Sequence, residues 1–185
     1  LTAGNKEYIS DFVEYKPTPA IEDISWEKKP NGVQILLNTQ DPQNKTKYYR
    51  WDYEETWEFN SIRKSFFEWS RTLKNVVRRS PGEDIYTCWR TEPSKHIMLG
   101  STARLQTDVI NNYPILFIPD TSWKLAVRYS IMVKQYALTE DAFQYWQLMA
   151  KNTEQLGSIF DAQPSELSGN IHSTSNPNEI VIGFI

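Results

Sequence analysis

The longest regular pattern in the chain occupies residues 47–59. Its odd positions are Tyr49, Trp51, Tyr53, Glu55, Trp57 and Phe59; its even positions are Tyr48, Arg50, Asp52, Glu54, Thr56 and Glu58. One face is aromatic apart from Glu55 and the other is polar or charged. A period of two, built from residues that suit a pleated surface, predicts a long half-buried β-strand. At ~3.3 Å per residue the run would span roughly 43 Å, beyond a typical strand of about 5–6 residues. Glu55 interrupts the aromatic face at its midpoint. The expectation is therefore that 49–53 builds the core, while a bend or bulge past Glu55 carries Trp57 and Phe59 outward.

Shorter patterns surround this run. Residues 6–13 follow a turn at 3–5 and can form a strand with Tyr8 and Phe12 on one face. Pro17-Thr18-Pro19 then stiffens the chain into an extended linker, because proline fixes its own φ and restricts its predecessor. That linker marks a predicted boundary: 1–16 as the end of an upstream β domain, 17–185 as a second unit. Strands are predicted at 21–26 and 33–37, joined by Pro30-Asn31-Gly32, whose Asn-Gly chemistry permits positive φ. Asp41-Pro42-Gln43-Asn44 makes the next turn. A second long alternation, Trp123, Leu125, Val127, Tyr129, Ile131 and Val133, predicts a strand at 123–133. It leads to a helix at 140–155: Thr139 as N-cap, Glu140 and Asp141 in the first turn, Leu138 and Phe143 as a hydrophobic staple, and Gly157 as a stop. Ala142, Tyr145, Trp146 and Met149 share its apolar face. The end of the chain is turn-rich (Gln163-Pro164-Ser165, Asn176-Pro177-Asn178) and closes on an apolar run at 180–185 that reads as a last strand.

Residues 60–122 form a long connection that needs structure of its own. Ile62, Phe66, Trp69 and Leu73 stand at helical spacing, but Val76-Val77 and Arg78-Arg79 do not continue it. A helix at 61–74 and a looped hairpin are both compatible. Short strands are predicted at 84–90 and 115–118. Short strands with regular turn signals give a mainly β fold, a β-sandwich with a long insertion at 60–122 and one α-helix in the C-terminal half.

Composition narrows the function classes. With 185 residues, 39% of them hydrophobic and 23% charged, the chain is long enough to bury a core without disulfide staples. A net charge of −3 leaves no footprint for nucleic acid or an anionic membrane. Seven Trp and ten Tyr suit either a β core of large units or a ligand platform, the core being the commoner use. Cys88 is alone and reads as a small hydrophobe. Only His96 and His172 are present, which excludes a three-His zinc site; no metal or cofactor is expected. A Gly-x-Ser-x-Gly elbow, a glycine-rich phosphate loop and a His-Glu-x-x-His helix are all missing. Asp52, Glu54 and Glu58 could pair as catalytic carboxylates, but alternating charges on a solvated strand face are commoner. Asn44-Lys45-Thr46 matches a glycosylation sequon, meaningful only in a eukaryotic secretory setting. The most ligand-like patch is Phe66, Phe67 and Trp69 beside the cations Arg78 and Arg79, with Arg71 and Lys74 nearby.

The block Tyr49-Arg-Trp-Asp-Tyr-Glu-Glu-Thr-Trp-Glu-Phe59 resembles the hallmark of a Bacteroidota outer-membrane lipoprotein family, domain of unknown function 4249. The likeness continues through Tyr86-Thr-Cys-Trp-Arg90, Tyr129-Ser-Ile-Met-Val-Lys-Gln-Tyr-Ala-Leu138, Gly157-Ser-Ile-Phe-Asp161 and Gly169-Asn-Ile171, and Lys16-Pro-Thr-Pro-Ala-Ile21 precedes them in the same order. The resemblance implies a fibronectin-III- or immunoglobulin-like sandwich. It also implies a surface-exposed protein on the extracellular face of the outer membrane, held by an upstream lipid anchor that this chain does not contain. Association with a TonB-dependent transporter and companion lipoproteins follows from it as well, in the uptake of a peptide or glycan. No catalytic residues are carried over. The expectation is a non-enzymatic accessory subunit whose insertion, through Phe66, Phe67, Trp69, Arg78 and Arg79, makes the specific contact. A stand-alone carbohydrate-binding module is the alternative, and a hydrolase using Cys88 or the carboxylates is a weaker third.

Overall fold

A computed structural model describes residues 2–4, 6–80, 82, 85–154 and 167–185. Along them run β1 (Thr2–Ala3), β2 (Lys6–Ser10), β3 (Ile21–Lys29), β4 (Gly32–Gln40), β5 (Tyr48–Asn60), β6 (Phe67–Ser70) and β7 (Asn75–Arg78). They continue as β8 (Thr87–Pro93), β9 (Met98–Ser101), β10 (Val109–Pro119), a 3-10 turn (Trp123–Leu125), β11 (Arg128–Leu138), α1 (Glu140–Glu154) and β12 (Ile171–Ser173). The fold is mainly β with one α-helix among the described residues, as the alternation predicts.

Two antiparallel sheets carry the core. One has the order β10-β4-β3; the other has the order β11-β5-β8, with β9 on the same edge of β5 as β8. Ile35 and Leu37 from β4, Ile115 and Ile118 from β10, and Tyr49, Trp51 and Tyr53 from β5 pack between them. Trp51 and Tyr49 lie fully buried, Trp51 stacked on Tyr49 at 5.8 Å and tilted against Tyr113 at 4.4 Å. Each such aromatic contributes roughly 4–6 kcal/mol as an upper bound, so the two faces hold each other.

A buried indole must place its N–H. That of Trp51 donates to the Gln135 carbonyl at 2.7 Å; the Gln135 amide in turn donates to the Pro19 carbonyl and the Thr39 hydroxyl, each at 2.9 Å. Thr39 passes its own proton to the Ala20 carbonyl at 3.2 Å, and the Thr18 hydroxyl accepts from the Ala137 amide at 3.1 Å. The proline linker is thereby stitched to both sheets.

Helix α1 covers the outer face of β5. The Thr139 hydroxyl accepts from the Ala142 amide at 3.2 Å, the expected N-cap. Phe143 meets Tyr48 at 4.9 Å, and Trp146 lies over the Arg50 guanidinium at 4.0 Å while Asp52 pairs with it at 2.7 Å. At the far end β12 pairs with β2, and β2 with β1. Lys6 and Tyr8 both reach the Glu179 carboxylate, at 2.8 and 3.1 Å.

Several expectations change. Strand β5 continues past Glu55 without a bulge: its register with β11 runs unbroken from Tyr48 to Glu58, and Trp57 is buried. The second long strand starts later and ends later than 123–133. Ser122 caps Trp123–Leu125 into a 3-10 turn by accepting from the Lys124 amide, while pairing with β5 extends β11 to Leu138. Between 61 and 74 the structure takes the hairpin rather than the helix. The segment 60–122 also has a core duty: β10 completes the first sheet and supplies Ile115 and Ile118, and β8 and β9 widen the second. Among the described residues, the β6–β7 ribbon stands away from it. The strands expected at 84–90 and 115–118 lie at Thr87–Pro93 and Val109–Pro119, with Asp84 outside the described residues. Neither Asn31 nor Gly32 uses positive φ; a Cβ on Gly32 would come within 2.3 Å of the Ile118 carbonyl, so close packing is what favours glycine there. Residues 180–185 form no strand. They lie instead beside Gly169, with Ile185 bonded in both directions to the Asn170 side chain at 3.0 Å. Asn5, Gln155, the Gly157 stop and the turn at Gln163-Pro164-Ser165 lie outside the described residues.

Replacing Gln135 with leucine should strand the Trp51 indole and the Thr39 and Pro19 partners, and cost about 2–4 kcal/mol in urea unfolding. Burial, then the bond to Asp108, pushes the Tyr49 phenol well up; burial, then the charge of Glu55, does the same for Tyr129. Neutral phenols favoured in the fold give stability that is full below the ordinary value of about 10 and lost as pH rises beyond it. Urea midpoints should therefore hold up to about pH 10 and fall above it, and Tyr129→Phe should flatten the fall.

Candidate functional site

The five aromatic and basic residues singled out in the sequence fall on one structural feature. β6 and β7 form a two-stranded hairpin closed by the turn at 71–74, where Lys74 takes φ 47° and the Ser70 hydroxyl accepts from the Leu73 amide at 3.2 Å. Asn75 accepts from the Val76 amide at 2.8 Å, fixing the exit of the turn. The paired β-branched Val76 and Val77 favour an extended ribbon, which explains why helical spacing at 62–73 does not decide the outcome.

Register sorts the residues by face. Phe67 pairs with Arg78 and Trp69 with Val76, so these four share one side. Glu68 pairs with Val77 on the other side, and the Arg79 amide bonds the Phe66 carbonyl at 2.9 Å, continuing the same register. Phe66 and Arg79 thus lie opposite Phe67, Trp69 and Arg78. Arg79 is held by the Glu68 carboxylate at 2.9 Å, whereas Arg78 makes no ion pair among the described residues. The first face is apolar and open: Trp69 is 62% exposed, and Phe67, Val76 and Leu73 of the turn are exposed too. Four cations and one carboxylate between Phe66 and Arg79 give a local charge of +3 in a chain of net −3. Val76 and Leu73 join this face beyond the five residues singled out in the sequence; a period of two counted outward from the turn identifies Val76.

Nucleophile and imidazoles are not brought together. The half-buried Cys88 thiol donates to the Ile85 carbonyl at 3.6 Å, His96 lies 3.7 Å from Glu154, and His172 lies 3.1 Å from Asp11. Among the described residues no three His, Cys, Asp or Glu side chains converge as a metal site. Asp52 pairs with Arg50, and Glu58 lies 3.8 Å from Arg128 on the outer face of the sheet.

Glu55, the carboxylate that interrupts the aromatic face, is buried. Glu55 is 3% exposed on the inward face of β5, bound by the Lys124 ammonium and by the Tyr129 hydroxyl at 3.1 Å. Lys124 also lies over the Trp57 ring at 4.9 Å. Its source, a 3-10 turn 69 residues away, has no local signal in the sequence.

A family model described as domain of unknown function (DUF4249) matches residues 1–185, and the chain belongs to that family. Comparison with curated proteins and with solved structures gives no match.

Phe67→Ala and Trp69→Ala should leave stability within about 0.5 kcal/mol of the parent by far-ultraviolet dichroism in urea, since both are exposed surface changes. Lys124→Met, which strips Glu55 of its cation, should cost about 2 kcal/mol or more in the same measurement.

Proposed function

We propose that this DUF4249 member is a non-enzymatic accessory subunit of a TonB-dependent uptake complex in the Bacteroidota outer membrane. Its unit is a fibronectin-III-like sandwich, carried on the extracellular face by an upstream lipid anchor. Its β6–β7 hairpin docks on the transporter or a companion lipoprotein and helps hold a peptide or glycan cargo. Support for the sandwich comes from the strand order: a β3–β4 hairpin on one sheet, β5 crossing to the other, β10 returning beside β4 and β11 crossing back beside β5.

The observation that carries the functional reading is the hairpin itself. Phe67, Trp69 and Val76 form an apolar strip on a ribbon outside the core, edged by Arg78 and Lys74. Soluble surfaces seldom keep aromatic and branched residues together without a partner, and aromatic residues with arginine are the usual anchors of protein contacts. A sugar platform would favour several aromatics in one plane. Here Phe66 is turned to the opposite side, leaving two, which supports docking over a stand-alone carbohydrate module.

The lipidated full-length protein, captured by an affinity tag from detergent-solubilised native membranes, should bring down a large β-barrel partner. The Phe67→Ala/Trp69→Ala/Val76→Ala variant should lose most of that partner, at least about tenfold if two of the three are hot spots of ~1–2 kcal/mol each. A clean monomer from native membranes would remove the reading. Retention of the barrel by the variant would move the contact off the hairpin.

A further inference from the structure

The second sheet ends on β11, whose outer edge is unpaired along most of its length among the described residues. The Ala137 amide points away from β5, toward the Thr18 hydroxyl, which fixes the parity of the strand. Tyr129, Ile131 and Val133 share that parity, and among the described residues their outward amides and carbonyls take part in no backbone hydrogen bond beyond the sheet ladders. The linker blocks the edge only at its far end, around Gln135 and Ala137.

The facing sheet carries the complementary defect. Ile24 lies opposite Leu37 and Trp26 opposite Ile35, so both side chains point to the inward side of the sandwich. Leu37 is fully buried there, yet Trp26 is 69% exposed and Ile24 is 37% exposed. Inward residues at the margin of a sandwich stay uncovered where no strand of the opposing sheet lies across from them. An unpaired row of backbone groups and an uncovered inward tryptophan thus ask for the same thing, an extended segment beside β11.

Charge selects among occupants. Arg128 and Lys134 bracket the open stretch on its outward face, both exposed. A second copy pairing antiparallel about Ile131 would set Arg128 against Lys134 at both ends, and like charges directly opposite are unfavourable. Acidic residues at those two positions are favourable instead.

We propose that the β11 edge accepts one additional β-strand from a partner polypeptide. That strand would carry apolar residues facing Tyr129, Ile131 and Val133, and acidic residues facing Arg128 and Lys134. Main-chain bonds would supply the register and Trp26 would cap the inward side chains, the logic of strand addition. The surface is separate from the β6–β7 hairpin, so it does not rest on the proposed transporter role.

The probe is the blocked heptapeptide Glu-Val-Thr-Ile-Thr-Val-Glu, with Lys-Val-Thr-Ile-Thr-Val-Lys as its charge reversal. Saturating acidic peptide should slow amide exchange at Tyr129, Ile131 and Val133 by at least about tenfold, the signature of new ladder bonds, and leave the outer edge of β10 unchanged. The lysine peptide should bind at least about tenfold more weakly. Trp26→Ala should weaken binding about fivefold or more without moving the urea midpoint, because the residue is exposed in the free protein. Ile131→Pro, which deletes a central outward amide, should abolish binding, and Trp26→Ala carries the test if that variant does not fold. Unchanged exchange with the acidic peptide, or equal binding of both peptides, overturns the proposal. Protection of the same amides in a concentration-dependent dimer would assign the edge to a second copy and overturn it. So would protection without peptide in a longer native polypeptide, which would assign the edge to the protein's own chain.

Discussion

The structure hangs on one obligation: the fully buried indole of Trp51 has to place its N–H. In a buried core an unsatisfied donor costs roughly 1–3 kcal/mol, so the residue opposite must be an acceptor. Gln135 fills that position on β11, and because it is an amide it brings two further protons that need acceptors. They find the Thr39 hydroxyl on the other sheet and the Pro19 carbonyl of the linker. One polar requirement on β5 thereby fixes the register of β11, the position of β4 against it and the path of the chain through Pro19. An apolar residue at 135 would pack as well in area terms and would specify none of these.

The same rule explains how a strand of thirteen residues stays regular with polar atoms facing inward along its length. At one end the Tyr49 hydroxyl donates to the buried Asp108 carboxylate at 2.7 Å, and Thr102 donates to its second oxygen at 2.6 Å. In the middle sits Trp51 with Gln135. Toward the other end Glu55 is bound by Lys124 and Tyr129. Three satisfied sites stand about two to four residues apart on one face, each drawing in a different distant segment. Glu55 is therefore a clamp for the 3-10 turn that crosses between the sheets, and the bend expected at that position has nothing to relieve.

This divides what was legible from what was not. Alternation at 47–59, the N-cap at Thr139 and the Asp41 turn are local patterns: the first becomes a strand at Tyr48–Asn60, the second caps α1, and Asp41 accepts from the amides of Gln43, Lys45 and Thr46. Burial works against the Asp41 charge, yet those three amides hold its carboxyl below the usual range. The misses share a different cause. Lys124 meeting Glu55, Pro19 meeting Gln135 and β12 meeting β2 are contacts between residues separated by 69, 116 and more than 160 positions, and no local period encodes them. Residues 61–79 were ambiguous for a third reason. Their apolar spacing suits a helix at Ile62, Phe66, Trp69 and Leu73, while Val76-Val77 suits a ribbon, and only cross-strand pairing breaks the tie. For the candidate site, composition located the hairpin, but face assignment needed the register that separates Phe67, Trp69 and Arg78 from Phe66 and Arg79.

Two exposed tryptophans then mean different things. Trp69 is exposed because its whole ribbon leaves the core, so its neighbours are exposed with it and the surface is complete as it stands. Trp26 is exposed on the inward side of a sheet whose neighbouring positions, Ile35 and Leu37, are buried, so it marks an interior left unfinished. The first kind of surface binds by side chains, tolerates mutation of any one contact and leaves the fold untouched. The second binds by backbone as well, reads the register of its occupant and continues the hydrophobic core into it. A domain built around β5 can offer both because its central strand is already paired on both edges. Whatever joins it must do so at a projecting hairpin or at an outer edge, and β11 is the edge that faces uncovered apolar surface.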